Sequence, residues 1–181
     1  VDLYKNAKKV LVFSSKQEEI IKKNLLIENT LNLKGYCWTE QEIDVLNNNL
    51  AAKKDNGVGI LSGDNKFEIA YCQKNNVEYK IVDDKKYQSY VKTLSSVEKL
   101  LMLPREFKPI SRAFIEAKVL GCKVATNPLT SMSSEDVYQK DAADIFQYVQ
   151  KNNNTIAESI IREFKTTDDM FESDNQLPKV T

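Results

Sequence analysis

The sequence contains no histidine, no closely spaced cysteine pair, no net charge and no long apolar run. Without histidine, a Ser-His-Asp triad, a Cys-His dyad, an imidazole general base and a His-ligated zinc site are all excluded. The three cysteines, Cys37, Cys72 and Cys122, lie far apart along the chain, which disfavours thiolate metal binding and a disulfide framework. We therefore expect three partly buried free thiols, as in a protein of the reducing cytoplasm.

The balance of positive and negative residues also limits the classes of partner that the chain can bind. Lys and Arg together number 26, as do Asp and Glu, so the formal net charge is 0. A chain without basic excess is poorly suited to neutralise a phosphate backbone, so nucleic acid is disfavoured as the main partner. No run approaches the roughly 20 apolar residues that span a bilayer, and the N-terminus does not resemble a signal peptide. With 41% hydrophobic and 29% charged residues, the 181-residue chain is typical of a soluble globular protein.

Short apolar runs alternate with longer amphipathic stretches along most of the chain. The predicted strands are Val10–Phe13, Gly57–Leu61, Val77–Val82, Leu100–Leu103 and Cys122–Thr126. The predicted helices are Lys16–Leu26, Thr39–Ala52, Asn65–Asn75, Lys86–Leu94, Ile110–Leu120, Asp141–Lys151 and Thr155–Phe164. The β-α-β-α-β order from Gly57 to Asn127 predicts right-handed crossovers and an α/β fold with a doubly wound, Rossmann-like parallel sheet.

Composition divides the chain into three parts. Residues 1–55 lie outside the predicted sheet, include the irregular Asn-rich passage Asn29–Trp38, and lead into a polar linker, Lys53–Asn56. Residues 56–165 form the predicted Rossmann-like domain. Residues 166–181 are a polar, acidic tail that we expect to be loosely held. The triplets Asn47–Asn49 and Asn152–Asn154 suggest no particular chemistry.

In an open parallel sheet, ligands lie at the carboxyl ends of the strands, so the loops there hold the candidate site. After the strand Gly57–Leu61, Gly63 permits a tight turn, and Lys66 at the following helix N-terminus suits a phosphate ligand. The alternative interpretation is that this segment is an ordinary turn and helix cap without a ligand. Glu116 can face the crevice and accept hydrogen bonds from the vicinal hydroxyls of a ribose. Alternatively, Glu116 pairs with Arg112 or Lys118 on a solvated face. Neither a P-loop nor a G-x-G-x-x-G fingerprint is present, which disfavours a nicotinamide-dependent oxidoreductase.

Two passages resemble retaining GT-B glycosyltransferases in their C-terminal, nucleotide-sugar-binding domain. Residues 103–127, LPREFKPISRAFIEAKVLGCKVATN, are similar to that family's signature of a strand ending in Pro, a turn, a helix with Glu-Ala, a Gly and a strand. Residues 59–76, GILSGDNKFEIAYCQKNN, look like the opening strand and helix of the domain. Upstream, residues 9–38 resemble the end of the acceptor-side domain and the crossing into the donor domain.

The resemblance implies roles for particular residues. Glu116 would hold the ribose hydroxyls of a UDP- or GDP-sugar, Lys66 would contact its diphosphate, and the N-terminus of the Ile110 helix would add backbone donors. The remaining residues implied in donor binding are Gly63, Arg105, Ser111 and Arg112. The family's other glutamate, eight positions earlier, corresponds to Lys108, a charge reversal, and Glu106 could replace it in a remodelled loop. Glu106 and Lys108 are therefore the catalytic candidates, with no metal and no cofactor.

The function implied is transfer of a sugar from a nucleotide-diphosphate sugar to a saccharide or lipid-linked acceptor, as in polysaccharide biosynthesis. Such an enzyme would work in the cytoplasm or peripherally at the inner membrane face. Since nearly the whole acceptor domain is missing, we expect a fragment of a longer enzyme or a degenerate relative, inactive alone. The alternative is a non-catalytic Rossmann-like interaction module, favoured by Lys108 and Gly63. It predicts no nucleotide binding and an exposed apolar patch on one face of the sheet module.

Overall fold

A computed structural model of the protein describes residues 2–63, 65–83 and 85–165; the predicted tail, residues 166–181, lies outside the described residues. The helices are α1 (Asp2–Lys5), α2 (Ser15–Leu25), α3 (Glu40–Asn47), α4 (Lys66–Lys74), α5 (Tyr87–Ser96), α6 (Arg112–Val119) and α7 (Ala142–Lys165). The strands are β1 (Val10–Val12), β2 (Thr30–Asn32), β3 (Asp55–Leu61), β4 (Tyr79–Val82), β5 (Val97–Met102) and β6 (Lys123–Thr126). Two 3-10 turns, Ser131–Ser134 and Asp136–Gln139, follow β6.

The four strands β3 to β6 form a parallel sheet in the order β4-β3-β5-β6. Ile60 in β3 is opposite Ile81 in β4 on one side and Leu101 in β5 on the other, and Leu101 is opposite Ala125 in β6. A helix connects each strand to the next in sequence, as parallel pairing requires. The predicted α/β class with a parallel sheet is thus confirmed, and the arrangement is compatible with a Rossmann-like fold.

Apolar side chains from the sheet contribute to two separate cores. Leu100 and Met102 of β5 belong to a large cluster with buried residues of α5, α6 and α7. Leu101, between them, belongs to a smaller cluster with Ile60 of β3 and Cys72 of α4. Because neighbouring residues of a strand point to opposite faces, both faces of the sheet bury apolar surface.

Helix α4 buries one side and exposes two aromatic side chains on the other. Phe67 and Tyr71, which share one face of the helical pattern, are each 54% exposed, whereas Cys72 is fully buried. Ile69 packs with Cys72 against the sheet. The sequence pattern was ambiguous because apolar residues occur on both sides of this short helix, and only contact with β3 and β5 selects one side.

The N-terminal part forms its own two-stranded parallel sheet, in which β1 pairs with β2 and Val10 lies opposite Thr30. The described residues before Asp55 thus lie outside the main sheet. The prediction of an irregular passage over Asn29–Trp38 was wrong for Thr30–Asn32, which form β2. Three residues with Asn at the end carry almost no strand signal, so pairing with β1 determines their conformation.

The predicted linker Lys53–Asn56 was also wrong in part, because Asp55 and Asn56 begin β3. The Nζ of Lys54 donates hydrogen bonds to the carbonyl oxygens of Ser95 and Val97, at 3.1 Å each. This residue therefore attaches the start of β3 to the end of α5. The domain boundary near residue 55 stays a prediction.

The two C-terminal helices predicted from the sequence are one 24-residue helix, α7. The Asn-rich stretch between them does not break it, because its amides bind the backbone of another segment. Asn153 Oδ1 accepts a hydrogen bond from the N–H of Trp38 at 2.8 Å, and Asn153 Nδ2 donates to the Trp38 carbonyl. Asn152 Nδ2 donates to the carbonyl of Tyr36 at 3.0 Å. Helix α7 continues to the N-terminal part, where Glu163 pairs with Lys9 at 2.8 Å.

Helix ends follow local rules where the sequence carries a capping signal. Thr39 and Glu42 form a capping box, a pattern readable in the sequence, at the start of α3, although α3 ends at Asn47 rather than at the predicted Ala52. Helix α6 begins at Arg112, not at Ile110, because Ser111 caps it by accepting a hydrogen bond from Phe114 N–H. At its end, Gly121 has φ +72°, the positive φ expected of a residue that terminates a helix.

The cysteine prediction is confirmed for the thiol state and partly for burial. All three thiols are free, with Cys72 and Cys122 buried and Cys37 exposed. Within the described residues, no helix combines the length and the apolar character needed to cross a membrane.

Candidate functional site

A cavity of about 280 Å³ lies at the carboxyl ends of β3 and β4. Leu61 and Val82 are the last residues of these two strands, and Ser62 follows the first. The helices α5 and α6 supply the rest of the lining, which consists of Tyr87, Tyr90, Arg112, Ala113 and Glu116. The cavity thus occupies the edge of the sheet where open α/β folds bind ligands.

Glu116 contributes a carboxylate to this cavity and is only 2% exposed. Its Oε2 accepts a hydrogen bond from Tyr90 Oη at 2.6 Å, and its Oε1 accepts one from Arg112 Nη2 at 3.1 Å. Burial raises the pKa of Glu116, while the Tyr90 hydroxyl and the Arg112 guanidinium oppose that rise. The pairing with Arg112 was one of the alternatives expected, but it is buried rather than solvated. Among the described residues, Glu116 forms no hydrogen bond or ion pair with Lys118.

Arg112 connects two carboxylates across the site. Besides Glu116, it contacts Glu42 of α3, with 2.8 Å between Nη1 and Oε1. Burial acts to lower the pKa of Arg112, but the charges of Glu116 and Glu42 raise it overall. Burial likewise acts to raise the pKa of Glu42, yet the Thr39 N–H and Arg112 lower it overall. Arg112 therefore stays charged and holds α6 against α3.

Three aromatic rings surround the Arg112 guanidinium. The distances from its central carbon to the ring centroids are 5.0 Å for Tyr36, 4.8 Å for Trp38 and 5.3 Å for Tyr87. These are cation–π distances, and they add to the ion pairs in fixing the arginine. The guanidinium is thus a structural link as well as a predicted donor-binding group.

No site role was predicted from the sequence for Tyr87 and Tyr90, which lie one helical turn apart in α5. Tyr90 is buried at 4% exposure. Both tyrosines also line the cavity. Burial and the nearby Glu116 carboxylate raise the pKa of each tyrosine, so both remain protonated donors at neutral pH. A usable signal was present, because a buried tyrosine hydroxyl needs a polar partner and Glu116 lies on the neighbouring predicted helix.

The turn after β3 is placed as predicted, but Lys66 does not reach the cavity. Gly63 has φ +106°, which supports the expected tight turn. Lys66 is the first residue of α4 and is exposed. The described residues that line the Glu116 cavity do not include Lys66. Its role as a diphosphate contact stays a prediction.

The loop after β5 carries the other predicted residues on its surface. The guanidinium of Arg105 lies 3.9 Å from the centroid of Phe67, which places Arg105 beside the start of α4. Glu106 and Lys108 are exposed. The backbone of Lys108 is fixed, since its N–H donates to the Leu129 carbonyl at 2.8 Å. Neither Glu106 nor Lys108 lines the Glu116 cavity within the described part of the chain.

Two further residues shape this edge of the sheet and were missed from the sequence. Glu68 of α4, 8% exposed, accepts a hydrogen bond from Leu103 N–H at 2.7 Å and so holds the end of β5. Asn127 Nδ2 donates to the carbonyl of Pro104 at 2.9 Å and ties the loop after β6 to the loop after β5. Sequence alone gives no pairing signal here, because each bond joins residues more than 20 positions apart.

A larger cavity, about 590 Å³, opens between α2 and the end of β6 and includes Lys16, Thr126 and Ser133. Nearby, the Glu135 carboxylate accepts hydrogen bonds from the N–H and the hydroxyl of Ser15, at the N-terminus of α2. The positive end of that helix is thus already occupied by an internal carboxylate. This leaves the Glu116 cavity as the better candidate for an external ligand.

The sequence matches no protein-family model and no curated protein. The functional argument therefore depends on the parallel sheet, the cavity at its carboxyl edge and the side chains that line it.

Proposed function

We propose that the chain is the donor-binding module of a glycosyltransferase, built on a doubly wound sheet of the GT-B type. In this proposal it binds a nucleotide-diphosphate sugar, such as a UDP- or GDP-sugar, through Glu116. A saccharide or lipid-linked molecule accepts the sugar, and the acceptor is bound by a second domain. The compartment proposed is the cytoplasm, with peripheral contact at the inner membrane face as the other arrangement.

The observation that carries the proposal is the Glu116 carboxylate in a cavity at the carboxyl ends of β3 and β4. A carboxylate offers about four acceptor positions, and the Tyr90 and Arg112 bonds use two of them. The remaining positions suit ligand hydroxyls, which are donors. Leu61, Val82 and Ala113 add apolar walls, and such a mixture of apolar walls with few polar groups is typical of ligand sites.

The reaction would need positive partners for the diphosphate, because negative charge develops on the leaving phosphate as the sugar departs. Helix α6 begins next to the cavity, and the N–H groups of its first turn can bind a phosphate oxygen. Ser111 already uses the Phe114 N–H, so the earlier N–H groups are the available ones. Lys66 and Arg105 are cationic side chains at the same edge and are the proposed additional contacts.

Calorimetric titration of the full 181-residue chain with UDP, GDP, UDP-glucose and GDP-mannose tests the proposal. We expect micromolar to millimolar binding of one nucleotide type, loss of that binding in Glu116→Gln, and unchanged binding in Glu158→Gln. Glu158 is an exposed glutamate of α7 and serves as the matched control. Absence of heat with all four ligands, or equal binding by Glu116→Gln, would contradict donor binding.

The second candidate is a non-catalytic interaction module, and two observations favour it. Glu116 and Arg112 already hold α6 to α3, which is a structural use for both residues. Phe67 and Tyr71 of α4 and Ile81 of β4 are large apolar side chains with 43–54% exposure. This candidate predicts that Glu116→Gln lowers stability without any change in nucleotide binding, since the wild-type chain would bind none.

A further inference from the structure

We infer that the hydroxyl of Tyr87 binds a hydroxyl group of the ligand, which makes Tyr87 a specificity-determining residue of the Glu116 cavity. The inference rests on the proposed function. It adds to that function a residue for which the sequence resemblance implies no role.

The Tyr87 hydroxyl is buried, and within the described part of the chain no hydrogen bond of acceptable geometry reaches it, although the Glu116 carboxylate lies nearby. Buried polar atoms without a partner are uncommon, because leaving one unpaired destabilises the folded protein. Tyr90, one helical turn later, differs in this respect, since its hydroxyl donates to Glu116 at 2.6 Å. The two tyrosines therefore line the same cavity, but only the Tyr90 hydroxyl is hydrogen-bonded within the protein.

Packing alone holds the Tyr87 ring in place. Its centroid lies 6.1 Å from that of Tyr90 with 28° between the ring planes, and the Arg112 guanidinium carbon lies 5.3 Å from the Tyr87 centroid. The ring thus needs no bond from its own hydroxyl to stay in position. An aromatic group fixed in this way presents its hydroxyl to a ligand at little cost in side-chain entropy.

Burial is the main cause of the raised pKa of Tyr87, and the nearby Glu116 carboxylate raises it further. A ligand hydroxyl that donates to Glu116 and accepts from Tyr87 would satisfy both groups. A ligand lacking that hydroxyl would leave the Tyr87 donor unpaired in the closed complex. Sites that bind a hydroxyl in this way discriminate strongly against the analogue without it. We therefore expect preference for a ribonucleotide over one of its deoxy forms.

The first part of the test is the thermal unfolding of Tyr87→Phe without ligand. The transition temperature should stay at or rise above the wild-type value, because the substitution removes a buried hydroxyl that makes no hydrogen bond in the protein. Tyr90→Phe should lower it by about 2–4 °C, since that variant removes a bond to a buried carboxylate. An equal drop in Tyr87→Phe would show that its hydroxyl is bonded within the protein and would overturn the inference, whatever the chain binds.

The second part is calorimetric titration with UDP, GDP and their 2′-deoxy and 3′-deoxy forms. Tyr87→Phe should weaken binding of the ribonucleotide about tenfold. One of the two deoxy forms should bind the wild-type chain about tenfold more weakly than the ribonucleotide does. Tyr87→Phe should bind that deoxy form and the ribonucleotide equally well, because the variant lacks the hydroxyl that distinguishes them. Tyr148→Phe, which loses a bond to the Lys34 carbonyl outside the cavity, should bind like the wild type.

The outcomes separate the two claims. If the wild-type chain binds UDP or GDP and Glu116→Gln does not, while Tyr87→Phe binds like the wild type, the Tyr87 inference is overturned and the proposed function stands. If the wild-type chain binds neither nucleotide nor any deoxy form, the proposed function is overturned and the inference with it.

Discussion

Replacing Arg112 by Met should destabilise the protein in a pH-dependent way. The substitution keeps the length and apolar character of the side chain but removes the cation between Glu42 and Glu116. Removing one partner of a buried ion pair costs about 3–5 kcal/mol. The Arg112 side chain is 31% exposed, so the lower end of that range, about 3 kcal/mol at pH 7, is expected.

The dependence on pH follows from the pKa of Glu116, which burial raises in the folded protein above the ordinary value of 4.5. A carboxyl group with a raised folded pKa stabilises the fold at low pH, and this stabilisation is lost as the pH rises through the folded pKa. Without Arg112 that pKa rises further, so the ionised form of Glu116 becomes costlier at pH 7. At pH 4.5 a larger fraction of Glu116 is protonated than at pH 7, so less is lost there, and the Glu42 pair and the aromatic contacts account for more of the loss. About 1 kcal/mol should remain there.

Urea unfolding of wild type and Arg112→Met at pH 7 and pH 4.5 measures both losses. Lys123→Met is the control, because the Lys123–Glu98 pair is a surface pair with the lysine side chain 76% exposed. It should change stability by less than about 1 kcal/mol at either pH. An equal loss for Arg112→Met at the two pH values would refute the assignment of a buried, ionisation-dependent role to Glu116.

Two further changes test how the rest of the fold is held. Asn153→Ala should destabilise the protein by about 2 kcal/mol and speed hydrogen exchange at Trp38, because the Asn153 amide bonds both the N–H and the carbonyl of Trp38. The control Asn154→Ala changes an exposed neighbour and should do neither. Unchanged exchange at Trp38 would contradict this link. Gly121→Ala should cost about 1 kcal/mol in chemical unfolding because its φ is +72°, and a neutral result would contradict the helix-terminating conformation.

Most of the main sheet could be predicted from sequence because each strand is a short apolar run followed by turn residues. The capping box at Thr39 and the positive φ at Gly121 were predictable for a similar reason, since each depends on residues close in the chain. The strand Thr30–Asn32 could not be predicted, because only its pairing with β1 makes it a strand. Likewise, Asn153 interrupts the helical pattern of the sequence, and only its hydrogen bond with Trp38 explains why α7 continues through it.

The candidate site was predictable in part. The sequence placed Glu116 near the carboxyl edge of the sheet, and the structure puts it in a cavity there. Its burial by Tyr90 and the bridging of Arg112 to Glu42 were not predictable, because they join α6 to α5 and α3 across 26 and 70 positions of the chain. Lys66 was predicted as a phosphate contact from its place at a helix N-terminus and from the family resemblance. Its side chain is exposed and does not line the described cavity around Glu116.

The most direct measurement is a titration of ¹⁵N-labelled chain with UDP and GDP, followed by amide chemical shifts. Binding at the carboxyl edge of β3 and β4 predicts saturable shifts at the amides of Ser62, Ala113 and Glu116, with little change around Lys16 and Ser133. No shift with either nucleotide, or shifts confined to the region between α2 and β6, would contradict the assignment of Glu116 as the ligand-binding carboxylate.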